Sequence, residues 1–292
     1  MGLLNLNFLI IHGGNHMSET ILVTGASAGF GQAICRRLVA DGYRVIGSAR
    51  RIEKLQVLQE ELGEAFYPLQ MDVTDLPQVD HALASLPASW ERIDVLVNNA
   101  GLALGIAPAY EAEVADWLTM IQTNIVGLTY LTRKILPQMV ERNDGYIINL
   151  GSTAGTVPYP GANVYGASKA FVKQFSLNLR ADLAGKKIRV SNIEPGLCEG
   201  TEFSSVRFKG DEERVEALYR NAHAIQPEDI ANTVAWLIQQ PKHVNVNRIE
   251  IMPVSQTFGP QPVYRDWKEK QPIHKALVVF YVSSGIIEGK VR

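Results

Sequence analysis

Cysteine is scarce in this chain of 292 residues, which contains only Cys35 and Cys198. Two cysteines so far apart form no motif, which argues against a disulfide framework and favours a reducing, cytoplasmic environment. Six histidines are present, but they are not spaced like metal ligands. The sequence therefore predicts free thiols, a cytoplasmic location and no metal site.

Runs of like charge and long apolar runs are also missing. The formal net charge is -2, so we expect no surface for nucleic acid or for an anionic membrane. The apolar run at residues 276–287 is too short to span a bilayer. The apolar residues 1–16 lack both a positively charged start and a cleavage site, which argues against a signal peptide. We therefore expect neither nucleic acid nor membrane as a partner.

The two ends differ in pattern from the rest of the chain. We expect residues 1–16 to be an N-terminal extension outside the fold, with Met17 as a candidate translation start. Residues 17–265 are expected to form one dinucleotide-binding catalytic domain, because no linker or shift in composition divides them. For residues 266–292 we predict a C-terminal tail of unknown role, either an extra strand or an apolar appendage.

Short apolar runs alternate with helix-length segments along most of the chain. The runs "TILVTG", "YRVIGSAR", "GYIINLGS" and "IRVSNIEPG" are typical of buried strands, and the segments between them have apolar residues at helical spacing. Strands separated by helices pair in parallel through right-handed crossovers. The pattern predicts an α/β fold, a doubly wound parallel sheet in a single Rossmann-type domain. Its ligand should bind at the carboxyl ends of the strands.

The first predicted strand ends in a glycine-rich turn, "TGASAGFG", which contains Gly25, Gly29 and Gly31. Glycine lets the backbone approach a pyrophosphate closely, and the helix that follows offers free N–H groups to it. The spacing is G-x3-G-x-G rather than G-x-G-x-x-G, and glycines also occur in ordinary strand-to-helix turns. The position in the first strand–turn–helix unit nevertheless favours a dinucleotide site.

The second predicted strand ends in "GSARR", where an NAD site usually has an acidic residue for the ribose 2′-hydroxyl. Arg50 and Arg51 stand there instead. A guanidinium suits a 2′-phosphate, which a carboxylate would repel. The alternative is a solvated basic turn, but next to the glycine-rich turn the pair favours NADP over NAD.

Tyr165 and Lys169 are four residues apart in "VYGASKA" and share one face of a predicted helix. An ammonium group beside a phenol favours the phenolate, so we expect the pKa of Tyr165 to be lowered. A tyrosine of lowered pKa can donate and accept a proton near neutral pH. This spacing alone is common on helices, but Ser152 follows another strand at the edge where this fold binds its ligands.

Together these motifs resemble those of the short-chain dehydrogenase/reductase family. They stand in the family's order and at similar spacing: "TGASAGFG", "NNAG" at residues 98–101, Asn124, Ser152, Tyr165 with Lys169, and "EPG" at residues 194–196. Singly, each residue has an ordinary structural explanation, such as capping a turn. Jointly, they imply an NADP-dependent enzyme that acts on CH–OH groups.

The resemblance also implies a role for each matching residue. Tyr165 would be the general acid in reduction and the general base in oxidation, while Lys169 lowers its pKa and binds the nicotinamide ribose. Ser152 would polarise the substrate carbonyl, and Asn124 would support a water-linked proton path to Lys169. The expected cofactor-binding residues are Gly25, Ser27, Gly29, Phe30, Gly31, Arg50, Arg51, Asp72, Val73, Asn99, Tyr165, Lys169, Pro195, Gly196 and Thr201.

Three later segments carry a closer similarity: "IEPGLCEGTEFSSVRFKGD", "QPEDIANTVAWL" and "HVNVNRIEIMPVSQTF". They resemble the NADP-dependent 3-hydroxy acid dehydrogenases, which include serine and allo-threonine dehydrogenases and malonic semialdehyde reductases. This similarity implies a small carboxylated hydroxy or oxo acid as substrate, and such an acid needs a cation near the site. We predict Arg207 for this cation, with Lys209 as the second choice. The alternative is that both are solvent-facing charges.

Residues 197–225 are expected to form a lid over cofactor and substrate. Gly196 and Gly200 flank the first residues of this segment, and Phe203 and Phe208 are suited to exclude water from the nicotinamide. The substrate specificity is therefore expected to depend on this segment.

The family resemblance further implies a homotetramer. Phe171, Phe175 and Leu177 give the helix of Tyr165 apolar residues beyond the needs of one buried face, which suits an interface between subunits. Two alternatives to a hydroxy acid dehydrogenase stay open. One is a reductase of a larger ketone, and the other is a catalytically silent NADP-binding sensor, against which the complete catalytic set argues.

Overall fold

Seven parallel strands form the central sheet of the computed structural model. The model describes residues 19–258 and, beyond them, the two-residue strands Pro262–Val263, Leu277–Val278, Tyr281–Val282 and Gly285–Ile286. The predicted extension over residues 1–16 lies outside the described residues, as does most of the predicted tail over 266–292. The seven strands are β1 (Thr20–Thr24), β2 (Arg44–Ala49), β3 (Phe66–Gln70), β4 (Val95–Asn98), β5 (Gly145–Leu150), β6 (Ile188–Pro195) and β7 (Arg248–Ile251).

The strand order in this sheet is β3-β2-β1-β4-β5-β6-β7, and every neighbouring pair is parallel. The order reverses between β1 and β4, which is the point where an open α/β sheet forms a crevice for its ligand. The predicted doubly wound parallel sheet is confirmed.

Helices cover both faces of the sheet. They are α1 (Gly29–Ala40), α2 (Ile52–Leu62), α3 (Leu76–Ala84), α4 (Val114–Ile121), α5 (Leu128–Arg142), α6 (Asn163–Asp182), α7 (Phe203–Arg207), α8 (Glu212–Tyr219) and α9 (Pro227–Gln239). Within the described part of the chain, none of them is long and apolar enough to cross a membrane. The same residues contain no cluster of three or more side chains suited to hold a metal ion.

Two apolar layers form because successive strand residues point to opposite faces. In β1, Ile21 and Val23 join the layer under α1, α2 and α9, whereas Leu22 joins the layer under α3, α5 and α6. All three side chains are fully buried. This double coverage explains why the strands are continuous apolar runs rather than alternating ones.

Residues 112–140 have apolar residues at helical spacing, which predicts one long helix, but the structure interrupts this helix. A π-helical turn at Gln122–Gly127 separates α4 from α5 and contains Asn124. The Asn124 amide donates to the Leu102 carbonyl at 2.9 Å, and its Oδ1 accepts from the Leu102 N–H at 2.9 Å. Residue spacing predicted the helix but not the wider turn, because the turn depends on this contact with a distant loop.

The predicted lid consists of α7 and α8 with their flanking loops. Its two ends meet, since Ile225 N–H donates to the Leu197 carbonyl at 3.1 Å. Its middle is attached to the loop after β4, since Gly105 N–H donates to the Arg207 carbonyl at 2.9 Å. The segment is therefore held against the carboxyl edge of the sheet.

Candidate active site

A cavity of about 590 Å³ opens where the carboxyl ends of β1, β4, β5 and β6 meet α7. Nearly all the residues predicted for cofactor, catalysis and substrate line it. The exceptions are Gly31, Asn124 and the second-choice cation Lys209, none of which lines the cavity. The cavity therefore brings together residues from all parts of the domain.

The glycine-rich turn forms one wall of the cavity. Gly25 and Gly29 have φ angles of +68° and +53°, which side chains rarely adopt. A Cβ at Gly31 would lie 2.2 Å from the Gly25 carbonyl oxygen, so this helix can follow the turn only with glycine there. The first turn of α1 contains no acidic side chain. Its free N–H groups and dipole thus suit the negative charge of a pyrophosphate.

A second wall carries positive charge at the end of β2. Arg50 and Arg51 both line the cavity, and Arg51 Nη2 donates to Ser27 Oγ at 3.1 Å. These groups fit a phosphate on the adenosine ribose, as the sequence predicts. Sequence reasoning missed Glu202, which comes from the lid and contacts Arg51 Nη2 at 2.8 Å.

The residues expected near the adenosine also line the cavity, and two of them shape local turns. Asp72 Oδ1 accepts from the backbone N–H and the hydroxyl of Thr74 at 2.9 and 2.8 Å. Asn99 Nδ2 donates to the Thr24 carbonyl at 2.7 Å, which ties the end of β4 to the end of β1. Val73, Phe30, Pro195, Gly196 and Thr201 complete this set of lining residues.

Tyr165 lines the cavity and is 8% exposed. Burial raises its pKa to about 12, while a hydrogen bond with Ser152 and the charge of Arg207 act in the opposite direction. The expectation of a lowered tyrosine pKa is therefore wrong for this structure. The reason is that residue spacing predicts a neighbouring cation but not the loss of solvent around the phenol.

Lys169 does not act on Tyr165 in the way its spacing suggests. Its Nζ lies 5.9 Å from the centroid of the Tyr165 ring and donates to the Leu150 carbonyl at 2.8 Å. Burial lowers the pKa of Lys169 to about 8, so the amino group is still mostly protonated at pH 7 and loses its charge as the pH rises through about 8. The amino group is thus placed at the end of β5, next to the turn that contains Ser152.

Asn124 supports this region from behind the wall. Its Nδ2 donates to Ser168 Oγ at 3.0 Å, in addition to its pair of contacts with the Leu102 backbone. A Cβ at Gly101 would lie 3.3 Å from both Asn124 Oδ1 and Lys169 Nζ. The π-helical turn, the loop after β4 and α6 therefore converge on one point beside Lys169.

Arg207 is the cation that the lid brings into the cavity. Its Nη1 donates to the Tyr159 hydroxyl at 2.9 Å and its Nε donates to the Gly105 carbonyl at 3.3 Å. Its Nη2 is buried and has no hydrogen-bond partner among the described residues. The Arg207 Cζ lies 5.5 Å from the centroid of the Tyr165 ring. An unpaired buried guanidinium nitrogen suits a carboxylate.

The second predicted cation, Lys209, is directed elsewhere. Its Nζ pairs with Asp116 Oδ2 at 2.8 Å, and it does not line the cavity. Lys209 has a φ angle of +55°, which turns the chain away after α7. Although the two residues are only two positions apart, Arg207 lies inside the cavity and Lys209 lies outside it.

Aromatic and thiol groups of the lid fill the remaining wall. The Phe203 ring lies 5.7 Å from the Tyr165 ring, between centroids, and Phe208 lines the cavity further out. The Cys198 thiol has its pKa raised to about 12 by burial, so it is no nucleophile at neutral pH. Sequence reasoning missed Tyr159, whose only sequence signal is its place between Ser152 and Tyr165.

Known proteins share this architecture. The family model described as short chain dehydrogenase matches residues 19–212. A "Probable NADP-dependent dehydrogenase" of Haemophilus influenzae is 60% identical over 249 residues, which is 85% of this chain and 99% of that protein. An NADP-dependent 3-hydroxy acid dehydrogenase of Salmonella typhi is 59% identical over 245 residues, 84% of this chain and 99% of that protein.

A solved structure is similar to this chain in both sequence and fold. The closed form of a serine dehydrogenase complexed with NADP+ is 57% identical, with a TM-score of 0.84 over 85% of this chain and 100% of that one. The family model covers more than half of this chain, and both relatives are matched over almost their entire length. The chain therefore belongs to the short-chain dehydrogenase family.

Proposed function

We propose that the protein is an NADP-dependent oxidoreductase of small 3-hydroxy acids. Its substrates are of the serine or allo-threonine type, and its products are the corresponding 3-oxo acids or semialdehydes. The names of its relatives support this class, since they include an NADP-dependent 3-hydroxy acid dehydrogenase and a serine dehydrogenase. The observation that carries the proposal is the buried, unpaired Nη2 of Arg207 beside Tyr165.

The residues of the cavity fit NADP. The tight turn at Gly25 and Gly29 leads into the free N–H groups of α1, which suit the pyrophosphate. Ser27, Arg50 and Arg51 suit the 2′-phosphate. When bound, NADP supplies hydride transfer to or from the substrate carbon.

The protein residues manage the proton and the position of the substrate. In oxidation, Tyr165 accepts the proton of the substrate hydroxyl; in reduction, it donates that proton to the carbonyl oxygen. Ser152 hydrogen-bonds Tyr165 and can also donate to the reacting oxygen, where negative charge develops. Lys169 and Asn124 hold the backbone and the polar groups behind Tyr165, and a proton path through Lys169 is part of the proposal.

Arg207 binds the substrate carboxylate. The side chain has little freedom, because Tyr159 and the Gly105 carbonyl hold two of its nitrogens. The third nitrogen, Nη2, is left for a ligand. Its position beside Tyr165 suits an acid whose carboxylate is only a few bonds from the reacting carbon. A preorganised cation of this kind favours short hydroxy acids over uncharged alcohols of equal size.

An activity screen with NADP tests this proposal. L-serine, L-allo-threonine and 3-hydroxypropionate would be compared with 3-hydroxypropionamide, which has the size of the last acid but no charge. We expect turnover of at least one acid and poor turnover of the amide. A parallel assay offers larger ketones with NADPH. Turnover confined to these ketones would instead support the ketone reductase, and NADPH binding without any turnover would support the sensor.

Two variants test the role of Arg207. Arg207→Ala should raise the KM for the acids by about 30-fold or more and leave that for the amide unchanged, because a buried charge pair is lost. Lys209→Ala removes a cation two residues away that lies outside the cavity, and it should leave both values unchanged. An equal effect of Arg207→Ala on acid and amide would rule out the carboxylate site.

The homotetramer and the cytoplasmic location stay predictions. The rings of Phe171 and Phe175 stack with centroids 5.7 Å apart on α6, and Phe171 is 36% exposed. The exposed ring of Phe171 supports an interface on this helix. Light scattering of the purified protein measures the number of subunits directly, and a monomer at micromolar concentration would contradict the proposal.

A further inference from the structure

Glu202 lies at the junction of the cofactor site and the lid, directly before α7. Both of its carboxylate oxygens contact Arg51, Oε2 with Nη2 at 2.8 Å and Oε1 with Nη1 at 3.2 Å. Lys54 Nζ contacts Oε1 at 2.9 Å. The same Arg51 Nη2 donates to Ser27 Oγ at 3.1 Å. A carboxylate of the chain itself thus uses the guanidinium that suits the 2′-phosphate.

This carboxylate and a 2′-phosphate need the same donors. The ion pairs with Arg51 and Lys54 lower the pKa of Glu202 to about 2, so the group is charged at neutral pH. A guanidinium binds an oxyanion best through two parallel N–H donors, and Glu202 contacts both terminal nitrogens of Arg51. Two anions at one guanidinium also repel each other. The phosphate can therefore use the Nη1–Nη2 edge of Arg51 only if Glu202 withdraws.

Lys54 offers Glu202 a second position. It stands in the first turn of α2, and its Nζ contacts the Glu202 carboxylate but does not line the main cavity. Glu202 is also half-exposed, with 47% of its side-chain surface accessible, so it can move without opening the core. Two cations, Arg51 and Lys54, thus contact the Glu202 carboxylate, and only Arg51 also contacts Ser27.

We propose that Glu202 is a specificity-determining residue that competes with the 2′-phosphate of NADP for Arg51. This inference rests on the proposed binding of NADP at Ser27, Arg50 and Arg51. NAD has no 2′-phosphate and leaves the Arg51–Glu202 pair intact, so the competition weakens NADP alone. Glu202 therefore limits how strongly the protein prefers NADP over NAD.

Calorimetric titration with nucleotide fragments tests the competition without any catalytic turnover. The probes are 2′,5′-ADP, which carries the phosphate, and 5′-AMP, which lacks it. Glu202→Gln should tighten 2′,5′-ADP binding by about two- to fivefold, the effect of one exposed ion pair, and leave 5′-AMP binding unchanged. Glu213→Gln removes the same charge from an exposed position on α8 and should change neither affinity.

The outcomes separate this inference from the proposed cofactor site. If the unaltered protein binds both fragments equally, the proposed 2′-phosphate site fails. If it prefers 2′,5′-ADP but Glu202→Gln weakens that binding or leaves it unchanged, the competition is overturned and Glu202 supports Arg51 instead.

A double variant tests whether the effect passes through Arg51. In an Arg51→Gln background, adding Glu202→Gln should no longer tighten 2′,5′-ADP binding, because the shared donor is absent. A gain of equal size in both backgrounds would overturn competition for Arg51 and indicate a general charge effect.

Discussion

The guanidinium of Arg207 lies beside the phenol of Tyr165, with its Cζ 5.5 Å from the ring centroid. In the proposed function these two groups hold the substrate carboxylate and exchange the substrate proton. Arg207 also lowers the pKa of Tyr165, against the larger opposite effect of burial. One side chain therefore contributes both to substrate selection and to the acidity of the proton donor.

Tyr165→Phe removes the proposed acid and base while keeping the ring. Turnover should fall by about a hundred- to ten-thousandfold, the usual contribution of a positioned acid or base. NADPH binding should be retained, because the rest of the cavity wall is unchanged. Steady-state kinetics and fluorescence titration with NADPH measure the two effects. Turnover close to that of the unaltered protein would exclude Tyr165 as the proton donor.

Tyr159→Phe tests whether the Tyr159 hydroxyl positions Arg207. The hydroxyl accepts from Arg207 Nη1 at 2.9 Å. Its loss should raise the KM for hydroxy acids by about three- to tenfold and leave kcat unchanged, because only part of the roughly 1.5–3 kcal/mol of a hydrogen bond to a charged group is transmitted to substrate binding. Tyr130→Phe is the matched control, because its hydroxyl donates to Asp80 on α3 and neither residue lines the cavity. A fall in kcat with unchanged KM would contradict a positioning role.

Arg50→Glu combined with Arg51→Glu reverses the charge at the end of β2. NADPH binding should weaken by about tenfold or more, because charge-assisted bonds to the 2′-phosphate are replaced by repulsion. NADH binding should change little. The exposed pair Lys186 and Lys187 lies between α6 and β6, and its reversal to glutamates makes the same change in net charge. Equal weakening of NADPH and NADH would show that the two arginines do not select the phosphate.

Lys169→Met should make the protein inactive but more stable. Burial lowers the Lys169 pKa from an ordinary 10.5 to about 8, which corresponds to about 3 kcal/mol of cost for the charged form. The variant removes that cost and also the hydrogen bond from this charged donor to the Leu150 carbonyl, worth about 1.5–3 kcal/mol. We therefore expect the free energy of unfolding at pH 7 to rise by about 1 kcal/mol, measured by urea denaturation.

The pH dependence of this gain has a defined sign. Below about pH 8, Lys169 is protonated in the folded and the unfolded protein, so the full cost is present. Between about pH 8 and 10.5, the fold has released a proton that the unfolded chain still binds, so the unaltered protein gains stability as pH rises. The advantage of Lys169→Met should shrink through this window. Lys173→Met, one turn further on, should show no such trend, and a gain independent of pH would contradict the assignment.

The parts of the site predicted from sequence have local causes. The turn at Gly25 and Gly29 requires glycine because of its own backbone angles. Tyr165 and Lys169 line one cavity because four residues are about one helical turn. The parallel sheet follows from alternating strands and helices, which allow few topologies.

The parts that were missed depend on contacts between distant segments. Glu202 meets Arg51 across 151 positions, and Tyr159 meets Arg207 across 48. Residue spacing in the sequence cannot predict contacts between residues so far apart. The direction of the Tyr165 pKa shift was wrong for the same reason, because burial is set by the whole fold.

The π-helical turn at Gln122–Gly127 has a consequence for anyone who aligns or redesigns this helix. Such a turn contains one residue more than an α-helical turn, so α4 and α5 differ in phase by about 100° from an unbroken helix. Deleting one residue to regularise the helix would preserve its composition and its apolar content. It would also rotate α4 and move Trp117 away from its hydrogen bond with Asn163 on α6. In this segment, deleting one residue would therefore destabilise the protein more than most substitutions would.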